Sequence, residues 1–509
     1  MYARLLLVFV CCTAACQSAP PPRRALPLPP ASSVIERLRP EPAPSVPVLG
    51  AAPVASGSAL ELDALLGSVE THFPLVLAAL EEFEIARGRV LAARGSFDTR
   101  LGAQGKLGIE GYYENQRGDF TIEQPLEDFG ATVSGGYRIG RGDFGSYDDD
   151  ARTDEAGEFR LGVLVPVLQG FSIDPRRVAL WQARVGEEQA EPIVTRKRLE
   201  ATRKAAQTYW NWVSSGRKRA VAQRQLELAL GRQEQVRILV DEGQIAAVNL
   251  IDNQRLIVER QASLVRAERD LQEAAILLSL YWRSAAGEPQ VPADALLPSA
   301  FPPTRDPAAT LVAGDVSLAL DQRPELRALA LERTQLELEL QLSENQMLPA
   351  LDFGMFASQD VGEQSGAKDD RGPFELQALV KFSVPLQLSL ARGKILELEA
   401  KLAKLARESS YAKDVVRSEV QDAASALVQA HRRLGLARQN AELALQLEDA
   451  ERIALDEGQS DLFRVNLREQ QTASAQASEV DSQREYFTAL ADYRAVLGLA
   501  YDEVVPTGP

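Results

Sequence analysis

The residues able to do covalent or metal chemistry are few and badly placed for it. Cys11, Cys12 and Cys16 are the only cysteines and all fall in the first 16 residues. The rest of the chain therefore has no internal disulfide, thiolate metal site or cysteine nucleophile. His72 and His431 are the only histidines and lie in different halves, on helical patterns where an imidazole is usually just solvated. Carboxylates are abundant, 72 in all, so pairs of them at helical spacing are expected by chance. There is no nucleophile elbow, P-loop, dinucleotide fingerprint or cluster with metal-ligand spacing. The sequence points away from an enzyme, and no cofactor and no metal is expected. A formal net charge of −16 also disfavours nucleic acid as a partner, since phosphates require a basic stripe.

One cysteine has a context. Arg4 and the apolar run Leu5–Val10 precede Thr13-Ala14-Ala15-Cys16. The apolar run is far short of the roughly 20 residues that span a bilayer as a helix. This resembles a lipoprotein signal, with residues 1–15 removed and Cys16 the site of lipid attachment, although Thr13 stands where a Leu is usual. An ordinary secretory signal cut nearby is the alternative. Residues 16–58 are rich in Pro and Ala, with Pro20-Pro21-Pro22 and Pro29-Pro30, and read as an extended leash.

The remaining organisation is set by a motif that occurs twice. Asp241-Glu242-Gly243-Gln244 recurs 215 positions later as Asp456-Glu457-Gly458-Gln459, each time between two long helical patterns. A repeat this long predicts two copies of one unit, 59–283 and 319–500, joined by a Pro/Ala-rich linker at 284–318 and followed by a tail at 501–509. A first helix is predicted over 59–95 and a second from 175 to 241, which Pro192 should kink or break. A third runs from the Gly243 turn to about Trp282. Its Leu250, Ile257, Leu264, Leu271 and Leu278 repeat every seven residues, with Ile251, Val258 and Val265 beside them, as in a coiled-coil seam. In the second half Pro324 starts a helix that ends near Met347, and long helices cover about 390–457 and 461–498. The seam Val416, Val420, Ala423, Leu427, Ala430, Leu434, Ala437, Ala441, Ala444 keeps strict four–three spacing.

Between the helices the period changes to two. Residues 101–113, 158–168, 351–355 and 374–384 alternate apolar and polar, as strands with one wet face do. Thr132–Ile139 alternates weakly, and Gly140–Gly157 reads as a loop. The spacing between matched positions falls from 250 (Pro74, Pro324) to 219 (Pro166, Pro385), so the first half carries 31 additional residues between its strands. About four strands of this length and pattern suit a transmembrane β-barrel, or a soluble sheet on a core. Four strands cannot close a barrel alone, so several chains would have to share one.

This order of elements resembles the TolC-type outer-membrane efflux proteins over residues 59–500. The most specific parts are Asp241–Gln254 and Asp456–Gln470, Pro324-Glu325-Leu326-Arg327, and the strand exits Val165-Pro166-Val167 and Val384-Pro385-Leu386. The resemblance implies a mostly α fold with membrane β: a homotrimer with a 12-stranded β-barrel, four strands per chain, continued by a coiled-coil α-barrel. It implies a lipid-anchored protein in the outer membrane of a Gram-negative-type bacterium, its helices extending into the periplasm. The implied function is the exit duct of a tripartite efflux or type I secretion system. The turns at Gly243 and Gly458 would meet a periplasmic adaptor and an inner-membrane pump. Some members close the inner tip with acids just after the second turn; here those positions are Arg464 and Leu467, with Asn249 and Asp252 as first-half equivalents. Asn249, Asp252, Asp461 and Arg464 are the candidate aperture residues, a solvated helix face being the competing reading. The rival functions are a periplasmic adaptor, which would have one hairpin flanked by soluble β-domains, and a structural coiled-coil lipoprotein without a pore.

Overall fold

The computed structural model describes residues 59–144, 152–307, 312–363 and 373–499. The signal segment, Cys16, the leash and the tail lie outside these residues. The chain is mostly helical with one antiparallel sheet. Its elements are α1 Leu62–His72, α2 Pro74–Arg94, β1 Arg100–Leu107, β2 Asn115–Pro125, β3 Thr132–Gly142, β4 Glu158–Pro166, α3 Pro175–Asp241 and α4 Val248–Leu278. The second half follows with α5 Val312–Gln322, α6 Pro324–Asn345, β5 Ala350–Asp360, β6 Phe374–Ser383, α7 Ser389–Asp456 and α8 Leu462–Val496.

Prolines punctuate the helices. The helix expected over 59–95 is two, because Pro74 forces Phe73 to extended backbone at φ −76°, ψ 121°. Arg323 before Pro324 repeats this at φ −68°, ψ 121°, and separates α5 from α6. Helix α5 starts at Val312, inside the span read as linker. Pro192, by contrast, does not break α3, which runs unbroken for 67 residues. Asp174 caps α3, its carboxylate accepting from Arg176 N at 2.8 Å and Arg177 N at 3.2 Å, with Pro175 at the first helical position.

The helices lie side by side in one layer. Toward the glycine turns the order across the layer is α4–α3–α8–α7; toward the sheet it is α2–α3–α6–α7. The main hydrophobic core sits at mid-height. There α1, Leu296 and Ala319 pack on Ala205–Val213 of α3, Leu271–Leu278 of α4, Val416–Leu434 of α7, Tyr486–Tyr493 of α8 and Leu497 just beyond it. Trp210 stacks on Phe487 at 4.4 Å between centroids, and Phe301 of the linker stacks on both.

The strand count corrects the sequence expectation of four strands per chain. Six strands form one antiparallel sheet in the order β1-β2-β3-β4-β5-β6. The segment expected as a single strand over 101–113 ends at Leu107, and β2 is hidden because its apolar face carries only Phe120 and Ile122, with Gln116, Gly118 and Gln124 in the other places. The weakly alternating Thr132–Ile139 is the middle of a full strand, β3. Together β2 and β3 make an additional hairpin inside the sheet, pairing Asn115 with Gly142 at one end and Pro125 with Thr132 at the other.

Candidate functional site

The sheet separates chemistry by face with little mixing. Directly opposed residues of antiparallel strands share a face. One row runs Leu101, Ile122, Gly135, Leu161, Ala357, Leu376 across all six strands. The next row on that face is Ala103, Phe120, Tyr137, Phe159, Gln359, Phe374. The opposite face carries the row Gln104, Asp119, Arg138, Glu158, Asp360. Phe356, Leu164 and Leu379 are its apolar exceptions. The Phe356 ring lies over two glycines: a Cβ on Gly354 would stand 2.8 Å from Phe356 Cε2, and one on Gly162 would overlap the ring.

Among the described residues nothing covers the apolar face. Leu101, Leu161, Leu376, Val380 and Phe382 are each 60% exposed or more. An antiparallel sheet can leave one face wet, but that is the polar one, and its apolar face normally buries against a second layer. The polar face is knitted by ion pairs. Arg138 Nε donates to Asp119 Oδ1 at 2.7 Å, Arg117 Nε donates to Asp119 Oδ2 at 2.7 Å, and Arg138 lies 3.8 Å from Glu158.

At the other end of the long helices are two matching turns. Gly243 has φ 72° and Gly458 φ 74°, the left-handed region that favours glycine. Each closes its helix with the same pair of bonds: Gln244 N to Leu239 O (2.9 Å) with Gly243 N to Val240 O (3.0 Å), and Gln459 N to Ala454 O (2.8 Å) with Gly458 N to Leu455 O (2.9 Å). Asp461 caps α8, accepting from Arg464 N at 2.9 Å, and the Arg464 guanidinium stands 4.0 Å from the same carboxylate. Asn249 occupies the first turn of α4, where its side-chain amide donates to Ala246 O at 3.1 Å; Asp252 is exposed one turn on. Among the described residues these two pairs make no hydrogen bond or ion pair with each other.

A polar cluster just inside the tips was not singled out from the sequence. Glu448 and Glu469 are almost wholly buried between helices. Arg232 of α3 donates to Glu469 and to Asn466 of α8, Arg452 donates to Glu448 at 2.5 Å, and Gln225 donates to Glu469 O at 3.1 Å. In the first hairpin the buried Asn253 donates to Gln233 Oε1 at 2.6 Å. The signal was present: Glu448 is the next position of the four–three seam that runs from Val416 to Ala444, and a charge there stands where Ala or Leu is expected. A polar residue in a seam fixes register at a cost in stability.

No protein-family model matches the sequence, and no curated protein matches it. Solved structures do match in fold. The outer membrane channel MtrE of Neisseria gonorrhoeae, in its open state, superposes with a TM-score of 0.60 at 15% identity, over 86% of this chain and 89% of that one. VceC, an outer membrane protein of Vibrio cholerae, gives 0.59 at 14% identity over 87% and 97%. The CmeC outer membrane channel of Campylobacter jejuni gives 0.57 at 12% identity over 87% and 89%. The chain has the fold of the TolC-type outer-membrane channels.

Proposed function

We propose that the chain is one of three subunits of an outer-membrane exit duct, a passive conduit that docks by its helical tips to a periplasmic adaptor and an inner-membrane pump. The observation that carries this reading is the bare apolar face of the sheet, which needs a lipid environment, backed by a polar face that needs water. A strand of 11 residues rises about 36 Å, and at a tilt near 45° this spans about 25 Å, the height of the apolar band of a membrane β-barrel. On this reading the polar face lines the lumen and the long helices, at ~1.5 Å per residue about 100 Å for α7, form the tube beyond it.

The edges of the chain support closure into a ring. The sheet ends at β1 on one side and β6 on the other; the helical layer ends at α4 and α2 on one side and α7 on the other, so both layers run in the same sense. Helix α4 presents Ile251, Val258 and Val265, each 64% exposed, and α7 presents Leu436 and Leu443, 67% and 51% exposed. Val258 lies as far beyond Gly243 as Leu443 lies before Gly458, and Val265 and Leu436 match likewise, so the two stripes stand at one height. Head-to-tail contact of α7 with a neighbour's α4 would bury both, and a rotation that closes makes a ring. Outer-membrane channels of the same fold in Campylobacter jejuni and Neisseria gonorrhoeae favour the same reading. Residues 1–15 would be the signal peptide and Cys16 the lipid anchor. The duplicated order of elements would place two helical hairpins per subunit in the tube, with Asn249, Asp252, Asp461 and Arg464 near its aperture.

The adaptor reading has no place for a sheet with an uncovered apolar face, and neither has a pore-free coiled-coil lipoprotein. Electron microscopy of the detergent-solubilised protein separates these. A hollow three-fold cylinder is expected; globular monomers or solid rods would overturn the channel reading.

A further inference from the structure

Resting on the channel reading, we infer that all six strands of each chain enter the barrel wall. A ring of three then closes an 18-stranded, water-filled barrel rather than a 12-stranded one. The membrane section becomes an open vestibule lined by the Asp119–Arg138–Glu158 row, and restriction of cargo falls to the helical tips.

Two observations carry this. The β2–β3 hairpin is continuous with the wall: the apolar row Phe120, Tyr137, Phe159 crosses from β2 to β4 without a change of face. On the other face Arg138 is shared between Asp119 of β2 and Glu158 of β4 at 2.7 and 3.8 Å, so the hairpin is tied into the sheet by charge as well as by backbone bonds.

The inner turn of the hairpin is also anchored to the start of α3. Phe129 stacks on Phe171 at 5.4 Å, and a Cβ on Gly130 would stand 2.5 Å from Gly170 O. Arg177 locks that segment by donating to Gly170 O at 2.7 Å and Phe171 O at 2.9 Å. A hairpin held at its inner turn, along both faces and by its backbone is wall, not a flap.

The test uses the absence of cysteine beyond Cys16, in the full-length membrane-inserted protein. Ala103→Cys in β1 is paired in turn with Leu376→Cys, Ala378→Cys and Val380→Cys in β6, all on the apolar face, and oxidised. Six-strand closure predicts intersubunit disulfides and covalent trimers from one of these pairs, and none when Gly135→Cys in β3 replaces Ala103→Cys. Crosslinking from Gly135→Cys instead would mean that β1 and β2 leave the wall, and would overturn the inference. High-resolution electron microscopy gives the second readout: 18 strands in a three-fold ring are expected. Twelve strands in such a ring would overturn this inference and leave the channel reading standing, whereas absence of a hollow ring would remove both.

Discussion

At the scale of single residues, three sites govern the helical half. Gly243 and Gly458 sit at positive φ with open space around a built Cβ, so substitution there costs backbone strain alone. Gly243→Ala or Gly458→Ala is expected to loosen its tip by about 1–2 kcal/mol, and Asn, which visits this region more readily, by less. Hydrogen exchange of the flanking turn measures it, and an unchanged rate would mean that the turn relaxes to another conformation. The buried Arg232–Glu469 pair is a second site. Arg232→Met leaves a charge without its main partner and is expected to cost about 3–5 kcal/mol, while Arg232→Met with Glu469→Met should recover most of that loss. Proteolysis rates near residues 460–475 report both variants, and equal rates in single and double variants would contradict the argument. Asp492 is the third. Burial raises its carboxyl above the usual range, and Arg203 and the Gln207 amide only partly offset this. Because its folded pKa lies above its unfolded one, its contribution to stability is complete below the unfolded value and is lost as pH rises through the folded value. Asp492→Asn should therefore flatten the fall in melting temperature above about pH 4 and leave the variant at least as stable at pH 7. A variant less stable than the parent at pH 7 would show that the Arg203 contact outweighs burial.

At the scale of the element, the sheet makes neighbouring residues opposite in kind. Leu376 and Gln377 are adjacent in β6 but lie on different faces. On the proposed channel reading Leu376→Arg would meet lipid and cost about 2–4 kcal/mol near the middle of the membrane, whereas Gln377→Arg on the opposite face would meet water and be tolerated. The yield of trimer in the outer membrane reads this out, and equal yields would overturn the assignment of faces. This face pattern was legible in the sequence wherever the apolar residues ran unbroken, as in Phe374–Val384. It was not legible in Asn115–Pro125, where glycine, glutamine and charge look like loop composition. The long helices were legible because their seams repeat over many turns.

At the scale of the whole molecule, the described residues make a single layer of helices with its main core at mid-height, and a sheet in which β1 and β6 each have a strand neighbour on one side only. Such a layer buries an inner helix on two sides and an edge helix on one, so the exposed stripes on α4 and α7 are where stability remains to be gained. Val258→Cys with Leu443→Cys places two thiols at the same height on opposite edges. Oxidation is expected to yield covalent trimers, with neither single variant doing so. Formation of disulfide-bonded dimers alone, with no third chain, would argue for a two-fold rather than a three-fold contact.

The duplicated Asp-Glu-Gly-Gln turn, the seams and the period-two segments were determined by the sequence by itself, because each rests on local geometry: a left-handed glycine, a 3.5-residue repeat, an alternation of two. Tertiary structure alone decided how many strands pair and where the buried charges go. Strand pairing joins residues far apart in the chain, and a weakly alternating segment becomes a strand when its neighbours supply its hydrogen bonds, as β2 and β4 supply those of β3. Likewise Glu469 reads as an ordinary surface acid, and Glu448 only as a charge out of place in the seam, until α3, α7 and α8 close over them and bring Arg232 and Arg452 to meet their charge.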